Sequence, residues 1–165
     1  MHTRLIKAKQ GPFLLVRPLS HGDVRTVMAV FERLGPASRR ARFNGPKPCL
    51  SRDELRQLAT VDGSRYALVA HVEGDPQPVA IARIVRNDRT SAEIAFAVAD
   101  EYQHRGIGSA LTAELIADAR AAGITEITAL ASSDNPAAVA LLRRAADVVD
   151  VSFEGPDLSI RAAIA

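Results

Sequence analysis

The sequence predicts an α+β or mixed-sheet α/β domain, and three observations carry that prediction. Three runs rich in Val, Ile, Leu and Ala, at Arg65–Val72, residues 78–85 and Ser91–Val98, follow one another across short turns. Segments with helical apolar spacing precede and follow them. No repeat or low-complexity linker divides the chain. Strand clusters mixed with helices on this scale define the class.

The elements follow in order. Residues 13–16 form a short first strand ended near Pro18. Ser20 and Asp23 resemble a capping box, after which Val24, Val27, Met28, Phe31 and Leu34 recur at helical spacing up to Gly35-Pro36. Residues 38–43 read as a second short helix. Ser51 and Glu54 open a third that runs to about Thr60. Gly74-Asp75-Pro76 and the segment from Arg86 to Arg89 supply turns that make the three central runs an antiparallel meander. After a break at residues 100–103, residues 108–122 read as a helix closed by Gly123. Residues 125–130 are a strand, Pro136–Ala145 a helix with proline in its first turn, and residues 148–153 and 158–164 a last pair of strands.

Composition removes several functions. The 165 residues predict one domain spanning 1–165, and folding buries about 70% of the unfolded surface at this size. With 47% apolar and 24% charged residues the chain is an ordinary soluble globular protein. It lacks the run of about 18 apolar residues that spans a bilayer. The charged start is followed by a run of only four apolar residues between Pro12 and Arg17, so a signal peptide is not expected. Cys49 is the one cysteine, which suits a reducing compartment and predicts a cytoplasmic location. The net charge is only +2 and the aromatics number seven with no Trp, so nucleic acid is not an expected partner. No His/Cys/Asp/Glu spacing resembles a metal site.

The informative stretch runs from Val98 to Leu111, Val-Ala-Asp-Glu-Tyr-Gln-His-Arg-Gly-Ile-Gly-Ser-Ala-Leu. A strand ends, a polar loop turns, and a helix begins at its glycines. Glycine lets the main chain approach a ligand and point several N–H groups into one concavity, where the positive end of the helix dipole also lies. Such a loop favours a phosphate or pyrophosphate, with Arg105 as an added charge, although a tight turn and a good helix start account for the same spacing. It is not a P-loop, since no Gly-Lys-Ser/Thr follows, and it lacks the third glycine of a dinucleotide fingerprint.

The string Gln103-x-Arg105-Gly106-x-Gly108, continued by Ser109-Ala110-Leu111, resembles the acetyl-CoA pyrophosphate loop of the GNAT superfamily of N-acetyltransferases. Gly123-Ile124, a strand, and Asn135 before an Ala-rich helix follow in that superfamily's order. A narrower likeness runs through Arg42-Phe43, Leu50-Ser51, Glu54-Leu55, Val61-Asp62, residues 67–70 and Ala92-Glu93. These resemble the acetyltransferase domain of bacterial protein lysine acetyltransferases.

The resemblance implies a mixed, mostly antiparallel central sheet with helices on both faces and two splayed parallel strands, at residues 92–98 and 125–130. It implies acetyl-CoA as cosubstrate. Its pantetheine arm would pair with the main chain of Phe96, Ala97 and Val98, and its pyrophosphate with that of Gln103, His104, Arg105, Gly106, Ile107, Gly108 and Ser109. Asn135 matches a pantetheine contact, and an N-cap for the helix at Pro136 explains it equally well. The acceptor is a primary amine, a small molecule or a protein lysine; no membrane partner and no oligomeric state are assigned.

An ammonium has no lone pair, so an amine of pKa near 10.4 must lose a proton before it attacks. Glu93 matches the Glu of the lysine-acetyltransferase branch and is the expected catalytic base. Alternation puts Glu93, Ala95 and Ala97 on one face and Ile94, Phe96 and Val98 on the other, unless a β-bulge shifts the parity. Glu93 otherwise faces solvent or pairs with Arg83. His71 reads as a satisfied core residue, His104 as solvent-facing, and Asp62 and Glu101 as turn or surface acids. The Arg39, Arg40 and Arg42 cluster reads as a solvated helix face, or else as a site for an acidic partner. One departure stands out: where many members have a Tyr that protonates the leaving thiolate, this chain has Leu142. That departure keeps open a second reading, a non-catalytic acyl-CoA-binding sensor.

Overall fold

The computed structural model describes residues 2–133 and 135–164, with Val148 described by its main chain alone. Eight strands form one mixed sheet: β1 (Arg4–Lys7), β2 (Phe13–Pro18), β3 (Arg65–Val72), β4 (Ala80–Arg86), β5 (Ser91–Val98), β6 (Glu126–Ser132), β7 (Val148–Glu154) and β8 (Asp157–Ala163). Their order is β1-β2-β3-β4-β5-β6-β8-β7. Every neighbouring pair is antiparallel except β5 and β6. The helices are α1 (Val24–Glu32), α2 (Pro36–Phe43), α3 (Arg52–Leu58), α4 (Ile107–Ala121) and α5 (Pro136–Ala145).

The sheet separates two apolar clusters. Leu68, Ile84 and Ile94 pack with Leu111 and Leu115 of α4 and Leu142 of α5. Val69 and Ala97 pack instead with Val27, Val30 and Phe31 of α1. Neighbours such as Leu68 and Val69 enter opposite clusters because strand side chains alternate between faces. Each large aliphatic residue so buried stabilises the fold by about 1.5–3 kcal/mol relative to exposure.

The meander and the helix that follows it stand where the sequence put them, within two residues at each end. Three local readings change. The N-terminal segment forms an edge strand, β1, whose Arg4 reaches Glu114 at 2.6 Å and Asp118 at 2.5 Å on α4. Asp23 alone caps α1: its carboxylate accepts the Thr26 N–H at 3.1 Å and the Thr26 hydroxyl at 2.6 Å. Pro36 begins α2 rather than only ending the helix before it, as its fixed φ suits a first-turn position. The Ser51–Glu54 capping box is complete, with both reciprocal hydrogen bonds formed.

Candidate functional site

The parallel partnership of β5 and β6 is short. Only Ser91, Ala92 and Glu93 are in register, opposite Glu126, Ile127 and Thr128. β5 then continues to Val98 and β6 to Ser132 without pairing to each other, so the two strands fork just beyond Glu93. The fork leaves main-chain groups of β5 turned toward a gap.

Which groups face the gap is fixed by parity. Register between β4 and β5 runs unbroken from Ala80↔Val98 to Arg86↔Ala92, so no bulge interrupts the alternation. The Ala99 N–H donates to the Val79 carbonyl at 2.8 Å, which makes Ala97, Ala95 and Glu93 the residues hydrogen-bonded to β4. Phe96 and Val98 therefore turn their N–H and C=O groups to the gap. Ala97, grouped with them in the sequence reading, turns its own to Ile81 and its methyl into the second cluster.

Beyond Val98 the chain makes a single 3₁₀ turn at Asp100–Tyr102 and enters the glycine loop. His104 (φ 60) and Gly106 (φ 76) both adopt the left-handed conformation. A Cβ on Gly106 would stand 2.7 Å from the Lys9 carbonyl, so the position demands glycine on two grounds. The N–H groups from His104 to Ser109 have no acceptor among the described residues, the first helical bond being Ala110 N–H to Gly106 at 3.0 Å. Six consecutive donors at a helix N-terminus form a cradle that fits a pyrophosphate.

Gln103 plays a different part from its neighbours. Its own N–H closes the turn on Asp100 at 3.3 Å, and its side-chain amide donates to the Val98 carbonyl at 3.0 Å and the Ser38 hydroxyl at 2.9 Å. Gln103 thus ties loop, β5 and α2 together. Ile107 is buried and offers only its main chain, while His104 and Arg105 are exposed. The Arg105 guanidinium lies 5.2 Å from the centre of the Tyr102 ring.

Two supports of this loop had no signal in a linear reading. The turn between β1 and β2 lies against it: a Cβ on Gly11 would come within 1.9 Å of the Arg105 carbonyl. Asp75, in the turn after β3, accepts from Arg33 at 2.7 Å and from the Tyr102 hydroxyl at 2.8 Å. The Arg33 hydrogen bond, foremost, holds the Asp75 carboxyl well below the usual carboxylate range.

Glu93 occupies the other end of the gap, on the face toward α2 and α3. It is exposed to an open cleft of about 1040 Å³ that Arg42, Phe43, Gln57 and Arg83 also line. It stands opposite Val85, not Arg83, and forms no ion pair among the described residues. Arg83 is only 7% exposed and donates to the Leu58 carbonyl at 2.8 Å and to those of Gln57 and Thr60 at 3.4 Å.

The remaining sequence candidates lie apart from this arrangement. Asn135 takes the N-cap position of α5 without a side-chain capping bond, so capping does not explain its amide. His71 accepts from Arg17 Nε at 3.1 Å, and burial holds its imidazole below the ordinary histidine range, reinforced by Arg17. Asp62 accepts the Ser64 and Arg65 N–H groups in a turn, and Glu101 pairs with Arg33. Cys49 is exposed in a loop. Leu142 is fully buried, and the hydroxyls of Tyr66 and Tyr102 are committed to Asp118 and Asp75.

Comparison with known proteins gives one consistent answer. The acetyltransferase (GNAT) family matches residues 31–146. Acetyltransferase Pat of Mycolicibacterium smegmatis is 35% identical over 94% of this chain, and an acetyltransferase of Pseudomonas aeruginosa is 30% identical over 77% of it. This chain spans 46% of the former and 70% of the latter. Among solved structures, the GNAT domain of S. lividans PAT superposes with a TM-score of 0.86 at 26% identity, covering 98% of this chain and 96% of that one. A cAMP-binding acyltransferase from Mycobacterium smegmatis gives 0.68 at 28% identity, covering 99% of this chain and 48% of its own.

Proposed function

The chain belongs to the acetyltransferase (GNAT) family, and we propose that it moves an acetyl group from acetyl-CoA to a primary amine, such as a protein lysine, in the cytoplasm. One observation supports this most: a donor cradle and an unpaired carboxylate stand at the two ends of one unpaired strand edge. The five steps from Glu93 to Val98 span about 17 Å at roughly 3.3 Å each, a separation that suits phosphates at one end and an acyl group at the other. The N–H groups from His104 to Ser109 would hold the pyrophosphate. Phe96 and Val98 would offer the pantetheine arm main-chain partners, and Asn135 a side-chain one.

Bound acetyl-CoA supplies the activated carbonyl. The acceptor nitrogen forms a bond to that carbonyl carbon as the carbon–sulfur bond breaks, CoA leaves as thiolate, and the nitrogen sheds its second proton to solvent as the amide forms. Glu93 takes the proton that the ammonium must shed, directly or through one water. The thiolate needs no strong acid, because a thiol of pKa near 8.5 is a good leaving group. Leu142 therefore does not bar turnover, and solvent in the open cleft can return the proton.

The burial of Leu142 and the engagement of both tyrosines favour one alternative, a sensor that binds acyl-CoA without turnover. Calorimetric titration with acetyl-CoA, CoA and ATP, followed by thiol release across an amine panel, separates the readings. Micromolar binding of both CoA forms but not ATP, with amine-dependent thiol release, is the expected result. Binding without release for any amine identifies the sensor; no binding overturns both.

A further inference from the structure

The cleft beside Glu93 contains five ionisable side chains, Arg42, Glu54, Arg65, Arg83 and Glu93. Two are neutralised within the chain, Glu54 by Lys47 and Arg65 by Asp62 at 3.3 Å. Arg83 gives its two terminal amino groups to main-chain carbonyls, which leaves its charge uncancelled. Arg42 has neither a hydrogen bond nor an ion pair among the described residues. Its guanidinium rests over the Phe43 ring at 4.8 Å and faces the cleft. Two arginine charges thus stand against the single carboxylate of Glu93.

That balance is wrong for a bare cation. An incoming ammonium would meet net positive charge, and Arg42 would compete with it for Glu93. A guanidinium that lines the cleft without a partner suits a carboxylate, which matches the planar fork with two parallel hydrogen bonds. Burial, then repulsion from Arg83, holds Arg42 below the usual arginine range at about 10, so it remains a cation at neutral pH.

Resting on the transferase reading above, we propose that Arg42 receives a carboxylate carried by the acceptor. The substrate class is then a primary amine with an acidic group close beside it. An anion on Arg42 leaves Glu93 free for the reacting amine, whereas a polyamine or a lysine among basic residues would leave Arg42 unpaired. Arg39 and Arg40 take no part: Arg39 lies over Phe31 at 4.1 Å and donates to the Pro48 carbonyl at 2.9 Å, and Arg40 is exposed.

The test measures thiol release from acetyl-CoA with four acceptors: a lysine peptide flanked by glutamates, the same peptide flanked by lysines, free lysine, and spermidine. The glutamate-flanked peptide, free lysine or both should exceed the other two by about ten- to a hundredfold in kcat/KM, the range of a charge-assisted hydrogen bond. Which of them leads separates a side-chain carboxylate from an α-carboxylate. Arg42→Gln should abolish the preference by raising KM for the acidic acceptor and lowering KM for spermidine, since the charge that receives the one and repels the other is gone. Arg42→Lys should retain part of the preference and serves if the first variant folds poorly. Equal kcat/KM across the four acceptors, or an unchanged preference in Arg42→Gln, would overturn the acceptor assignment alone. Bound acetyl-CoA with no release for any acceptor would overturn the transferase reading and this inference with it.

Discussion

At the scale of single residues, Glu93 and Gly106 divide the work of the site, and each has its own signature. Glu93→Gln keeps the shape of the side chain and removes its basicity. It should lower kcat by about 10²–10⁴-fold, the usual contribution of a positioned base, while the Kd for acetyl-CoA stays unchanged. Unchanged turnover and an unchanged pH profile in that variant would reassign the base. Gly106→Ala attacks the opposite end. The added methyl meets the Lys9 carbonyl and forces a left-handed alanine, which costs roughly 1–2 kcal/mol before any clash is counted. Binding of acetyl-CoA should weaken by at least about tenfold in a calorimetric titration. Loss of kcat at full affinity would show instead that the loop does not hold the cosubstrate.

At the scale of elements, what the sequence disclosed was the chemistry of near neighbours. The Ser51–Glu54 capping box and the meander turns rest on residues a few positions apart, and both stand as read. Contacts between distant segments left no such trace. β1 looks like a charged tail because its Arg4 finds its acids more than a hundred residues away. Gly11 reads as an ordinary turn glycine, although the Arg105 carbonyl is what requires it. The basic cluster of α2 read as a solvated face or as a site for an acidic partner, one role for all three, whereas the structure sends Arg39 to Phe31 and Arg42 into the cleft. The capping box itself is a clean element-scale test. Ser51→Ala removes one reciprocal hydrogen bond and should destabilise the protein by about 1 kcal/mol. Thermal unfolding should shift down by about 2–4 °C, with kcat unaffected. A larger loss of activity than of stability would mean that α3 shapes the acceptor cleft beyond supporting it.

At the scale of the whole molecule, one polar junction ties two neighbouring strands of the sheet to α1. Arg17 on β2 donates to His71 on β3 and, at 3.1 Å, to the Thr26 hydroxyl on α1, and Asp23 holds Thr26 in turn. His71 must be neutral to accept from Arg17. Burial first, and then the Arg17 charge, lowers its pKa in the folded state. The unfolded chain, with histidine near 6.5, therefore binds more protons than the folded one in the window just below that value. Stability is full above about pH 6.5, falls as the pH drops through that window, and levels off once the folded histidine also titrates. The depressed carboxyls of Asp23 and Asp75 act separately, since their contribution is lost only as the pH falls below the ordinary aspartate value of about 3.9. Denaturant midpoints measured from pH 7.5 to 5 should decline in the wild-type protein. In His71→Gln, whose amide oxygen can still accept from Arg17 and whose charge does not change, that part of the decline should vanish. Parallel declines in the two proteins would place the acid sensitivity elsewhere and reduce the junction to packing.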